Sequence, residues 1–247
     1  MACSELPDWY LQRRLAVVDL RSATWRKARA EVVPPGYAPD ECMRRLAKAG
    51  RVRRIRRGLF VVVDPVRETA PIAIASALFA DEPHYVTTDA ALAFHGAIDQ
   101  PVLQITLVLA RRRRPINIGP SVVRPVMVSS ERLATADAYD SSTDGFRVRV
   151  ASREQSVVDA LVEPAWMVYG DLLPEVLASF TVTEIERTAA SALARSTAAA
   201  QRLGYLLEDA GRPLPASLAG LRPLRAVRLR PKHKTKGPYS TRWRVYG

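Results

Sequence analysis

Gly50 and Gly58 bracket a run with five arginines in seven residues, Arg51 to Arg57, followed by the apolar stretch Leu59 to Val63. A helix through this run would carry both glycines and crowd like charges onto two turns, which costs propensity and adds repulsion. Two short strands around a turn at Arg56, Arg57 and Gly58 avoid both problems, because glycine supplies the positive φ that a tight hairpin needs. The second strand, "LFVVV", is β-branched and aromatic, as a half-buried pleated surface prefers. The run therefore reads as a basic β-hairpin.

Upstream, the spacing predicts three helices. "PDWYLQRRLAVV" places Trp9, Leu11, Leu15 and Val18 at helical intervals. "SATWRKARAEV" follows, with Ser22 available as N-cap, and "PPGY" makes a turn. In "PDECMRRLAKAG", Pro39 suits the first turn and Asp40 and Glu41 suit the positive end of the dipole. Cys42, Met43, Leu46 and Ala49 form its apolar stripe, leaving Arg44, Arg45 and Lys48 outside. Three helices and a basic hairpin make the layout of a winged helix-turn-helix. The third helix would be the recognition helix and the hairpin the wing, in a domain spanning 1–66.

Charge sharpens this expectation. The chain of 247 residues carries a formal net charge of +12. Residues 1–63 contribute +8, 64–220 contribute −5 and 221–247 contribute +9. A mixed surface would not segregate in this way, and the balance favours phosphate-bearing partners. Cys3 and Cys42 form no C-x-x-C pair, so no zinc ribbon or disulfide framework is expected. No signal peptide or membrane-spanning stretch is read, and a cytoplasmic protein with no membrane partner is expected.

From residue 67 the pattern becomes mixed. "APIAIASALF" and "TTDAALAFHG" read as helices, while "VLQITLVLA", "SVVRPVMVSS" and "FRVRVAS" read as strands. "SREQSVVDALV" opens on a capping box from Ser152 to Gln155, and a second box is expected from Thr183 to Glu186. "TAAAQRLGYLLEDAG" is a further helix, and "LRAVRLRP" and "YSTRWRVYG" look like a closing strand pair. The expected fold class is α+β: an N-terminal winged helix-turn-helix followed by a larger mixed α/β domain over 67–247.

The ordered set "GRVRRIRRGLFVV", "IAIASALF", "HYVTTDAALAFHGA", "QITLVLA", "VRVASREQSVVDALVEP" and "RWRVYG" resembles the AbiEi family of type IV toxin–antitoxin antitoxins. The resemblance implies an N-terminal winged helix that binds operator DNA and represses its own operon. It further implies a C-terminal domain that neutralises a nucleotidyltransferase-type toxin without requiring a stable complex. Arg44, Arg45, Lys48, Arg51, Arg53, Arg54, Arg56 and Arg57 are the expected DNA-binding residues. Arginine suits this task because its fork pairs bidentately with phosphate or with guanine. Dimerisation on DNA stays open.

The loop Arg111, Arg112, Arg113 and Arg114, before Pro115, reads either as a second phosphate-contacting patch or as a solvated tip. The C-terminal "KHKTKGPYSTRWRVYG" interleaves bases with aromatics, which could stack single-stranded nucleic acid or simply pack as a terminal strand. No P-loop, dinucleotide fingerprint, H-E-x-x-H or nucleophile elbow is present. No catalytic residue, metal or cofactor is therefore expected. His84, His95 and His233 are scattered, His95 reads as a helix C-terminus, and Asp159 as a paired structural carboxylate. Three rivals remain: a regulator without a toxin, an RNA-binding module, and a nuclease or nucleotidyltransferase.

Overall fold

The computed structural model describes residues 17–20, 25, 26, 29, 33, 36, 38–63, 69–143, 146–230 and 237–247. The fold is α+β. Its N-terminal part contains β1 (Val17–Asp19), α1 (Pro39–Lys48), β2 (Val52–Arg56) and β3 (Leu59–Val62). The strands form an antiparallel sheet in the order β1-β3-β2. Val17 and Val18, expected to finish the first helix, form β1 instead and pair with Val61 and Phe60. Consecutive β-branched residues favour the pleated partner over a last helical turn. The rest of that helix lies outside the described residues. Of the second, Trp25, Arg26 and Arg29 are helical.

The third helix and the hairpin form as expected. Gly58 takes φ +76° at the turn, and a bulge between Arg54 and Arg56 shifts the register beside it. Each face of the small sheet is buried. Val18, Val52 and Phe60 pack with Trp25, Cys42, Met43 and Leu46. On the opposite face, Val17, Ile55 and Val61 join the core of the larger part, with Ile74, Ile105 and Ile116. The expected boundary at 66/67 lies outside the described residues, and this shared core ties the chain on either side of it together.

The larger part is built on a six-stranded mixed sheet, order β6-β7-β5-β4-β9-β8. Its strands are β4 (His84–Thr87), β5 (Gln104–Leu109), β6 (Ile116–Ile118), β7 (Ser121–Met127), β8 (Ala138–Thr143) and β9 (Phe146–Ala151). Its helices are α2 (Pro71–Leu78), α3 (Thr88–Phe94), α4 (Ser130–Ala134), α5 (Arg153–Val162), α6 (Leu173–Ala178), α7 (Val182–Arg195), α8 (Thr197–Asp209) and α9 (Ala216–Ala219). α3 and α5 to α8 build a helical core around Leu92, Val157, Leu177, Ile185 and Leu203.

Two capping expectations change. The second capping box runs from Thr181 to Glu184, one pair earlier than read from sequence. Both pairs fit the S/T-x-x-E pattern, and only the earlier Thr takes extended backbone at the N-cap. At α5, Ser152 accepts from the Gln155 N–H, but the Gln155 side chain turns inward to Asp159 instead of back to the cap. The chain closes with β10 (Val227–Arg228), β11 (Tyr239–Ser240) and β12 (Val245–Tyr246), in the order β10-β12-β11. β12 seats Trp243 against α8, where a methyl group on Gly204 would fall 2.3 Å from the Trp243 ring. Only glycine permits that approach.

Candidate nucleic-acid interface

The basic surface starts on α1. Its buried stripe, Cys42, Met43 and Leu46, faces the sheet, so Arg44, Arg45 and Lys48 are exposed. Arg44 and Arg45 both reach Glu41, at 2.7 and 3.3 Å. These pairs are open to solvent, where such contacts are worth about 0–1 kcal/mol, so a phosphate can compete for either arginine. Arg45 and Lys48 also sit in the last turn, where the helix dipole favours cations.

On the hairpin, strand alternation divides the arginines. Val52 is buried beneath α1, and Arg54 lies on the same face, level with Phe60. Arg53 points to the other face, level with Val61. Its guanidinium rests against the turn after β6, where a methyl on Gly119 would lie 3.5 Å from Nη1. Arg57 is exposed on the turn, Arg51 is half-buried where the chain leaves α1, and the Arg56 side chain lies outside the described residues. Arg44, Arg45, Lys48 and Arg54 thus share one side of the small sheet, while Arg53 faces the larger part. Sequence spacing gave no sign of this split.

Arg111, Arg112, Arg113 and Arg114 are all exposed on the loop between β5 and β6. Arg113 pairs with Glu82. The loop and the Gly119 turn lie at opposite ends of three-residue β6, a span of about 10 Å at 3.3 Å per residue. The fold therefore brings Arg53 and the four-arginine loop, distant in sequence, to the two ends of one short strand. In the C-terminal segment, Trp243 is 1% exposed and its Nε1 donates to Glu208 at 2.5 Å. It is core and offers no platform for stacking bases.

The remaining polar clusters are bonded within the fold. His95 caps the C-terminus of α3, and its Nε2 bonds the Ala151 carbonyl at 2.8 Å. Asp159 is fully buried and accepts from Tyr85, Thr87, Arg132 and Gln155. Burial pushes its carboxyl above the ordinary range, while Arg132 and the two hydroxyls pull it back. Asp89 accepts from the Val168 and Tyr169 N–H groups and so fixes the segment after α5. Thr88, the first residue of α3, takes φ +52°, unusual for a β-branched residue, and donates to the Trp166 carbonyl. Among the described residues, no His, Cys, Asp and Glu side chains group to hold a metal ion, and no helix is long and apolar enough to cross a membrane.

His84 carries a pH dependence. Its Nδ1 lies 2.8 Å from the Glu82 carbonyl, which only accepts, so Nδ1 holds the proton and Nε2 accepts from the Ser76 hydroxyl at 2.9 Å. Burial lowers its pKa, with backbone carbonyls of Glu82 and Phe79 opposing. A base whose folded pKa is depressed lends stability above its unfolded value and loses it as pH falls toward the folded one. The urea midpoint should therefore drop between about pH 7.5 and 5.5, a window spanning the ordinary histidine value. His84→Gln should flatten that drop; an unchanged pH profile in the variant would rule His84 out as its source.

No family model matches the chain, and no curated protein matches it. The architecture does have a solved counterpart. This chain is similar in fold to the RV2827C protein from Mycobacterium tuberculosis. The crystal structure of that protein aligns with a TM-score of 0.61 at 18% identity, covering 98% of this chain and 92% of the other. The likeness is one of fold, and it spans both the basic N-terminal part and the larger sheet.

Proposed function

We propose that this protein is a DNA-binding antitoxin and autorepressor. In this reading an N-terminal winged helix docks operator DNA, and the larger domain counters a nucleotidyltransferase-type toxin. The observation that carries the DNA-binding half is the order β1-β3-β2 with α1 immediately ahead of the hairpin and arginines on the side they share. In a winged helix, the helix before the hairpin enters the major groove and the hairpin grips the backbone beside it. Phosphate contacts give affinity and register, and base-edge contacts give specificity. Arg54 and Arg57 suit the first role, and Arg44, Arg45 and Lys48 the second. The toxin-directed half rests on the family resemblance of the motif order.

A mobility-shift titration of the full chain tests the first half. Log affinity should fall with log salt at a slope near −3.6 for about four phosphate contacts. Alanine at one or more of Arg44, Arg45 and Lys48 should cost about 1–3 kcal/mol on the operator and relax discrimination at one base pair. Salt-insensitive binding, or equal weakening of every duplex by all three substitutions, would remove α1 from the groove. For the second half, the decisive observation is whether the adjacent reading frame encodes a nucleotidyltransferase.

A further inference from the structure

A cavity of about 350 Å³ lies between α5, the segment 164–170, α6, α8 and the residues after β10. Leu161, Met167, Leu173 and Leu229 give it apolar walls. Two arginines line it as well. Arg230 is exposed, at the mouth, whereas Arg202 is only 8% exposed. Arg202 Nε donates to the Arg228 carbonyl at 2.9 Å and Nη1 to the Leu161 carbonyl at 2.7 Å. Among the described residues, Nη2 makes no hydrogen bond and no carboxylate forms an ion pair with this guanidinium.

That arrangement is unusual for a buried charge. Carbonyls satisfy N–H geometry but supply no counter-charge, and an uncompensated buried cation is costly. Asp159 is treated differently, with Arg132 at 3.1 Å, as is Arg153, with Glu184 at 3.2 Å. Near Arg202 the opposing charge is exposed Glu163, which offsets only part of the burial that lowers its pKa.

We propose that this cavity binds a small organic monoanion, a carboxylate on an apolar body, with the carboxylate on Arg202 Nη2 and Arg230. A phosphate is a poorer match. The Val168 and Tyr169 N–H groups at this wall already serve Asp89, and Leu172 N–H serves the Tyr169 carbonyl. A dianion would keep oxygens without donors. The volume has room for about a dozen water-sized groups at roughly 30 Å³ each. Because Arg202 also holds the carbonyl of Arg228 in β10, an occupant would couple the C-terminal sheet to the helical core. None of this depends on the DNA-binding reading.

Octanoate is a suitable probe for the full-length protein, with 1-octanol and inorganic phosphate as controls, read by calorimetric titration and thermal unfolding. Octanoate should bind saturably and raise the unfolding temperature, with octanol at least about tenfold weaker and phosphate weaker still. Arg202→Gln should weaken octanoate at least about tenfold, and Arg230→Gln by less, since it is exposed. Arg202→Gln also loses bonds to two carbonyls, so Ala165→Leu supplies a second variant. It narrows the cavity by three carbon atoms, leaves both arginines in place, and should weaken octanoate binding. Equal binding of octanol, tighter binding of phosphate, unchanged binding in Ala165→Leu, or no binding of octanoate at millimolar concentration would each overturn the proposal.

Discussion

Asp159→Ala is expected to destabilise the folded protein by about 3–5 kcal/mol, the cost of breaking a buried ion pair from one side. The carboxylate is 0% exposed and gathers four donors from β4, α4 and α5. Its loss would strand Arg132, whose Nε already has no partner among the described residues. Asp159→Asn should cost only about 1–2 kcal/mol. Its Oδ1 can still accept from Arg132 and Gln155. On the other side, the Tyr85 and Thr87 hydroxyls can rotate to accept from the new amide. Replacing the pair together, Asp159→Leu with Arg132→Met, should recover most of the alanine loss. Urea unfolding of the four proteins measures these differences at constant m-value. If the alanine and asparagine variants are equally unstable, the counter-charge adds nothing beyond the hydrogen bonds.

That cluster also explains what could be read from the sequence. Two of the quoted motifs meet in it: "HYVTTDAALAFHGA" supplies Tyr85 and Thr87, and "VRVASREQSVVDALVEP" supplies Gln155 and Asp159. Asp89, His95 and Thr106, from the same motifs and "QITLVLA", bond to backbone nearby. The helices Thr88–Phe94 and Arg153–Val162 and the strand Gln104–Leu109 were legible because each joins a strong local period to polar residues that the core must satisfy. The strands His84–Thr87, Ile116–Ile118 and Ala138–Thr143 were not legible. β4 is buried along its whole length and so shows no alternation, β6 is three residues long, and β8 is largely polar at the sheet edge. The basic hairpin was visible because two glycines and five like charges forbid a helix. Which arginine faces which side was not, because that depends on the pairing of Val52 with Val62 and on the second core beneath Val61. The cavity at Arg202 was equally hidden. In sequence Arg202 is one more cation on an amphipathic helix, and only packing against β10 reveals that it has carbonyl partners alone.

The split across the hairpin leads to the sharpest functional expectation. Arg54→Glu with Arg57→Glu should weaken binding to operator and unrelated duplex alike by at least about a hundredfold. Each charge-assisted hydrogen bond to a phosphate is worth roughly 1.5–3 kcal/mol. With alanine in place of glutamate, the salt slope should become shallower by about 0.9 for each phosphate no longer neutralised, or about 1.8 for both. Arg53→Glu is the internal control. Its side chain leans on the Gly119 turn at the side away from α1, so its effect should be clearly smaller. All three positions are exposed, and urea unfolding of each variant checks that lost binding is not lost fold. The same variants separate the two proposed activities. Expressed with the cognate toxin, the Arg54/Arg57 double variant should still rescue growth while a promoter reporter shows repression lost, with protein level measured in the same strains. If rescue disappears in step with repression at normal protein level, antitoxicity runs through nucleic-acid binding, and the RNA-binding reading becomes the better one. If Arg53→Glu proves as damaging to DNA binding as the double variant, the duplex lies across the outer junction of the hairpin and the larger part. The track would then run from Arg53 along β6 to Arg111–Arg114, and α1 would not be its reading head.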